Sequence, residues 1–286
     1  MRALRTVVAS HRPARTMRAT DTAGSAQTVW LFDLDNTLHD CSKGIFGAID
    51  SAMAQAVATT LNIDMDAANV LRKTYWKRYG ATVIGMARHH NVDANAFLEL
   101  SHNFEVAPLV HCETGLSRKL QLLRGRKILL TNAPLKYARE VLKTLGILHH
   151  FEGLWAIDHM RLQGHMRPKP SAALMRQVLA RLRVPASQVV LVEDTLRNLK
   201  TARQVGMRTV HIFHPGTPFS SLHKGRCDYV DVRVNSVGKL LSGRHRIGHR
   251  GGSHCCGRRC DGSHCCGQRC DGLRYGGHIP GTPDRA

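Results

Sequence analysis

The sequence predicts an α/β fold built on a doubly wound parallel sheet, with an all-helical segment inserted behind its first strand. Three observations carry this. Short apolar runs alternate with stretches whose apolar residues recur every three or four positions, as strands joined by crossover helices do. The runs are apolar throughout instead of alternating with polar residues, which suits strands covered on both faces. Between the first run and the second lie four or five helical patterns, far more than one crossover needs.

In chain order, VWLF at 29–32 opens the sheet and runs straight into Asp33 and Asp35, followed by the turn formers Asn36 and Thr37. Helical patterns follow at 44–61, 66–80, 81–90, 93–104 and 113–125, the second stopped by Gly80. KILLTNA at 127–133 reads as a strand, 135–147 as a helix and 151–158 as a short strand. Helix 171–184, strand 188–194, helix 195–206 ending at Gly206, strand 207–213 and a short strand at 227–232 complete the alternation. The predicted core is split, 28–42 plus 116–241, around a helical cap at 43–115. From Thr131 to Lys169 there is only a helix, a strand and a loop, which leaves no room for a second inserted domain.

Hydrophobic residues at 43% and charged residues at 22% suit a globular protein with a sizeable core. No stretch approaches the roughly 18 apolar residues of a membrane helix, and none carries the apolar centre of a secretory signal. The formal charge of +20 divides into +4 in 1–27, +5 in 242–286 and +11 in 28–241. A basic middle suits an anionic substrate such as a phosphate ester, and it also suits nonspecific nucleic-acid contact. No aromatic-rich basic stripe or zinc-finger spacing accompanies it, which ranks nucleic acid lower.

The ends read differently. Residues 1–27 hold five Arg and one Asp with no hydrophobic period. They read as a disordered leader, with an organelle transit peptide or an early start codon as the other readings. In 242–286, GSHCCGRRCD (252–261) repeats as GSHCCGQRCD (262–271), a composition that buries no core and predicts disorder. Its Cys and His suit zinc or copper, although adjacent Cys pairs do not match a CxxC…CxxC site. Only Cys41, Cys112 and Cys227 lie outside the tail, so a reduced, cytoplasmic protein without a disulfide framework is expected.

Polar residues gather where the predicted strands end, the carboxyl edge at which doubly wound sheets bind ligands. LFDLDNT ends the first with Asp33 and Asp35, LLTNA the second with Thr131 and Asn132, and LVEDT a later one with Glu193 and Asp194. RPKP at 167–170 supplies Lys169. Two carboxylates as close as Asp33 and Asp35 disfavour each other unless a cation or a shared proton relieves them. The pair asks for a metal, a chemical task, or both.

In this order DLDNT, LLTN, Lys169 and VED resemble the four motifs of the haloacid dehalogenase-like hydrolase superfamily, over nearly all of 28–241. The resemblance implies a Rossmann-like core that hydrolyses phosphomonoesters with Mg2+ as cofactor. Asp33 is then the nucleophile that becomes an aspartyl phosphate, and Asp35 the acid that protonates the leaving alcohol and afterwards activates water. Asp33, the Asp35 backbone carbonyl and Asp194 hold the metal, with Glu193 near it or bound through water. Lys169 adds fixed positive charge and keeps Asp33 ionised. The Thr131 hydroxyl and backbone N–H groups including that of Asn132 cradle the phosphate oxygens. The superfamily's dehalogenases lack an acid two positions after the nucleophile, so Asp35 favours phosphatase chemistry.

An insertion between the first two motifs resembles the superfamily's helical cap class, which closes over small substrates and excludes water. DNTLHD, YWKRYGATVIGMARHH (75–90), LLTNAP (129–134), RPKP and LVEDTLRNL (191–199) are similar, more narrowly, to the pyrimidine 5'-nucleotidase branch. That likeness implies hydrolysis of nucleoside monophosphates such as UMP and CMP, with His39, Tyr79 and Arg88 holding base or sugar. SHNFEVAPLV (101–110) departs from the more acidic stretch expected there. The alternatives are a sugar-phosphate phosphatase or phosphomutase on the same scaffold, and a basic nucleic-acid-interacting protein working through its charged termini. The expected partner is a small phosphorylated substrate, not a membrane.

Overall fold

The computed structural model describes residues 27–111, 113–213 and 226–242. The rest of the predicted leader and tail, with the Cys/His repeat and Cys112, lies outside the described residues. The strands are β1 (Val29–Phe32), β2 (Arg126–Leu130), β3 (Gly153–Trp155), β4 (Arg161–Leu162), β5 (His165–Met166), β6 (Val189–Glu193), β7 (Arg208–Ile212) and β8 (Val232–Val234). The helices are α1 (Ile45–Leu61), α2 (Met65–Tyr79), α3 (Thr82–His90), α4 (Ala94–Ser101), α5 (Leu116–Leu122), α6 (Leu135–Thr144), α7 (Ala172–Leu182), α8 (Leu196–Gln204) and α9 (Val237–Ser242).

Six strands form one parallel sheet in the order β3-β2-β1-β6-β7-β8. Residue by residue, β1 shows why the apolar runs do not alternate. Trp30 and Phe32 enter the cluster on one face with Val141 and Leu142 of α6, and Val29 and Leu31 enter the cluster on the other with Leu174 and Val178 of α7. Both faces are thus covered, and each fully buried Leu or Phe contributes about 1.5–3 kcal/mol. The chain moves outward from β1 in one direction through β2 and β3, and in the other through β6, β7 and β8. The crevice at that reversal is where such sheets bind ligands.

Helices α1 to α5 lie in the interval between β1 and β2, and α1 to α4 form a layer of their own. Asp64 and Asp93 accept hydrogen bonds from Ala67 and Ala96 and so cap α2 and α4, and Gly80 ends α2 in a left-handed conformation. These helices bury a cluster of their own, centred on Val57, Tyr75, Met86 and Phe97 and joined from the sheet side by Ile157. Phe104, Val106, Leu109 and Val110 pack instead in the sheet's own cluster. The separate helical core therefore stops at α4, short of the predicted boundary at 115.

Several boundaries differ from the sequence expectations. Helix α4 ends at Ser101 and α5 spans only Leu116–Leu122, and the segment between them includes a single 3-10 turn at Ala107–Leu109. Pro108 is the second residue of that turn, where its missing N–H is tolerated but from which an α-helix cannot extend back. The last strand is Val232–Val234, not 227–232, because Cys227 and Asp228 are spent on a turn closed by the Val230 N–H to the Cys227 carbonyl. The interval between Thr131 and Lys169 also carries the β4–β5 hairpin, turned by Gln163 and Gly164 in left-handed conformations. Helix α9 was not expected. No helix among the described residues is long and apolar enough to cross a membrane.

Candidate active site

The carboxyl ends of β1 and β6 converge on Lys169. Its Nζ donates to Asp33 Oδ1 and to Glu193 Oε2, each at 2.7 Å, and the residue is 2% exposed. Asn132, just beyond β2, holds the lysine from behind. The Asn132 Nδ2 donates to the Lys169 carbonyl at 3.0 Å and its Oδ1 accepts from the Lys169 N–H at 2.9 Å. Thr131 is buried beside it, with its hydroxyl accepting from the Ala133 N–H.

Asp194 completes the group. Its carboxylate accepts from Asn36 Nδ2 at 3.2 Å and from the Thr195 hydroxyl at 3.1 Å. Oxygens of Asp33, Glu193 and Asp194 lie within 4.8 Å of one another. Burial pushes all three carboxyls up, helped by their mutual repulsion. Lys169 pulls Asp33 the other way without prevailing. One ammonium faces three carboxyls, those of Asp33 and Glu193 buried and that of Asp194 partly so.

That imbalance is the test of whether a hard cation fits, and these residues pass it. The donor set is all carboxylate oxygen, as Mg2+ prefers, and a divalent ion supplies the positive charge that Lys169 does not. The buried Asn36 Oδ1 also has no hydrogen-bond partner in the structure. Glu193 has both oxygens engaged, Oε2 by Lys169 and Oε1 by the Thr195 N–H, and Asp194 accepts on both of its own, whereas Asp33 accepts from Lys169 on Oδ1.

Asp35 points elsewhere. Its Oδ1 accepts from the Tyr137 hydroxyl at 2.7 Å and pairs with His39 Nε2 at 3.1 Å. Burial would raise its carboxyl, but the His39 and Tyr137 hydrogen bonds outweigh that and hold it below the usual carboxylate range. Burial pushes the Tyr137 hydroxyl and the Cys41 thiol up, and Asp35 adds to both effects.

His39 departs from its expected role. Its side chain is fully buried against Asp35 and Cys41, so it is not presented to a base or sugar. Tyr79 and Arg88 come together in the helical layer, away from the lysine cluster's own contacts. The Arg88 guanidinium lies 5.6 Å from the Tyr79 ring centre, and the Tyr79 hydroxyl pairs with His89 Nε2 at 2.6 Å. Gly80, the next residue, lies against the Lys169 carbonyl, where a Cβ would approach to 3.0 Å. Tyr137, Asn36 and Thr195 were missed in the sequence. Asn36 and Thr195 adjoin motif acids, a signal that could have found them; Tyr137 is one aromatic on an amphipathic helix and carries none.

A parallel sheet that sets two aspartates, a buried lysine and an acidic pair on one edge defines a class of hydrolase. Residues 28–206 match the model of the haloacid dehalogenase-like hydrolases, and the chain belongs to that family. Phosphate metabolism protein 8 of Saccharomyces cerevisiae is 24% identical over 66% of this chain, which spans 62% of the yeast protein's length. A glyceraldehyde 3-phosphate phosphatase of Methanocaldococcus jannaschii is 26% identical over 74% of this chain and 94% of its own. The fold is shared with a haloacid dehalogenase-like hydrolase from Bacteroides fragilis at a TM-score of 0.51 and 16% identity, covering 75% of this chain and 99% of that one.

Proposed function

We propose that this phosphatase hydrolyses small phosphomonoesters through an aspartyl phosphate on Asp33, with pyrimidine nucleoside monophosphates as its substrates. The observation that carries the reading is the Lys169 ammonium held between Asp33 and Glu193, beside Asp194, at the carboxyl edge of the sheet.

Asp33 and Asp194, with the Asp35 backbone carbonyl and Glu193 behind them, would hold Mg2+, which when bound offsets the repulsion between the phosphate and the carboxylates. Asp33 attacks phosphorus as the ester oxygen leaves with a proton from Asp35. Asp35 rests as a base under its two hydrogen bonds; an arriving phosphate dianion raises its proton affinity, so that it takes up from solvent the proton it then donates. Asp35 then takes a proton from water, the water oxygen bonds to phosphorus, and Asp33 is released as a carboxylate. Lys169 offsets charge on the transferred group, while the Thr131 hydroxyl and the Asn132 backbone N–H cradle its oxygens.

Helices α1 to α4 act as the cap, with Tyr79 and Arg88 contributing to base or sugar contacts. A cytoplasmic setting fits the free thiols of Cys41 and Cys227. The test is a phosphate-release screen with Mg2+ over UMP, CMP, AMP, GMP and sugar phosphates. UMP and CMP should exceed the others in kcat/KM by at least about tenfold, the discrimination one well-filled pocket supplies. A sugar-phosphate substrate is the second reading, favoured by the archaeal relative whose name gives glyceraldehyde 3-phosphate as its substrate. A triose phosphate at the top of the screen would replace the first reading with it.

A further inference from the structure

Asp35, His39 and Cys41 are spread over seven positions, yet their side chains meet. A tight loop brings them back. The Leu34 carbonyl accepts from both the Thr37 and Leu38 N–H groups, Asn36 is left-handed at φ 59°, and Asp35 bridges His39 through the backbone. One atom from each residue then closes a triangle. Asp35 Oδ1 to His39 Nε2 is 3.1 Å, His39 Nε2 to Cys41 Sγ is 3.5 Å, and Cys41 Sγ to Asp35 Oδ1 is 3.7 Å.

We propose that this triangle is a second metal site, for a tetrahedral ion such as Zn2+, and that filling it silences the enzyme by occupying the side chain of Asp35. Tetrahedral Zn2+ with bonds of about 2.0–2.3 Å to oxygen, nitrogen and sulfur sets its ligand atoms about 3.3–3.6 Å apart. The three separations match to within a few tenths of an ångström. Mixed oxygen, nitrogen and sulfur donors select zinc-like ions over Mg2+, which takes oxygen alone. The loop supplies a supporting contact as well: the Asn36 N–H donates to Cys41 Sγ at 3.1 Å, where it offsets charge on a bound thiolate.

The His39 side chain is fully buried and the Asp35 side chain is 24% exposed, so an ion reaches the triangle past Asp35. As the Zn–S bond forms, the Cys41 thiol proton leaves to solvent. His39 binds through Nε2 with its proton on Nδ1, and Oδ1 of Asp35 exchanges its bond to His39 for the ion. An Asp35 so held neither gives nor takes a proton. Binding stands on the triangle alone, whereas the loss of turnover rests on the acid–base role proposed for Asp35.

The full chain, in excess Mg2+, is titrated with Co2+ as a spectroscopic probe and with Zn2+ during hydrolysis of p-nitrophenyl phosphate. The difference between wild type and Cys41→Ser isolates this thiolate from the cysteines of the tail. It should show a thiolate-to-cobalt charge-transfer band, and His39→Gln, a second variant, should lose the same band. Half-inhibition by Zn2+ should need at least about tenfold more metal in Cys41→Ser than in wild type, without relief by added Mg2+. No difference band in either folded variant overturns the site. A band with undiminished turnover keeps the site and overturns its inhibitory effect. Equal inhibition of both proteins, relieved by Mg2+, places Zn2+ at Asp33 and Asp194 and overturns the proposal.

Discussion

Asn132 grips Lys169 by both backbone polar groups, at 2.9 and 3.0 Å, and so aims a buried ammonium that Asn132 itself never touches. A side chain at the end of one strand thereby sets the position of a charge delivered by a loop. Asn132→Ala should cut kcat about 10- to 100-fold, the usual loss when a supporting contact is removed, with a smaller change in KM. Steady-state kinetics on the best substrate checks this, and an unchanged kcat would show that the loop holds Lys169 unaided.

Lys169→Met removes the ammonium that pairs with both Asp33 and Glu193. Two buried carboxylates are left uncompensated, which should cost about 3–5 kcal/mol as well as activity. Urea unfolding at neutral pH reads the loss. Asp33→Asn behaves oppositely: it keeps an acceptor for Lys169 and removes one repelling charge. Phosphate release should vanish while the melting temperature stays level or rises.

Two glycines separate the stability of the helical layer from its coupling to the active site. A Cβ on Gly85 would sit 2.1 Å from the Tyr75 ring, so Gly85→Ala should destabilise the protein by about 1–3 kcal/mol through overpacking. Gly80 is left-handed at φ 83° and abuts the Lys169 carbonyl. Gly80→Ala should therefore lower kcat more than its cost of about 1 kcal/mol in backbone strain would suggest. Thermal melts and kinetics on both variants distinguish the two effects.

The sheet was legible because burial on both faces leaves an unbroken apolar run, as in β1 and β6. Asp33, Glu193 and Asp194 stood out because strand ends gather such residues at one edge, whereas Lys169, in the loop between β5 and α7, stood out only through the family resemblance. What stayed hidden depends on loop geometry. The resemblance puts His39 on a base or sugar, but Asn36 turns the chain and the ring is buried against Asp35. Tyr137 lies 102 positions from its partner Asp35, and no local pattern records that contact. The β4–β5 strands are two residues each, too short for any periodicity.

His102 gives a pH signature. Burial lowers its pKa from the ordinary value, so between that lowered value and about 6.5 the unfolded chain binds more protons than the folded one. Stability is then fully present above about 6.5 and is lost as pH falls through the folded pKa. His150, lowered by burial in the same way, contributes with the same sign. Denaturant titrations from pH 7.5 to 5 should show this decline, and His102→Gln should flatten it in part.

The most direct measurement is mass spectrometry of the protein acid-quenched during turnover with Mg2+ and UMP. The account predicts one added phosphoryl group on the peptide that carries Asp33, absent from the Asp33→Asn variant. Continued hydrolysis with that aspartate never modified, or a phosphoryl group on another residue, would contradict it.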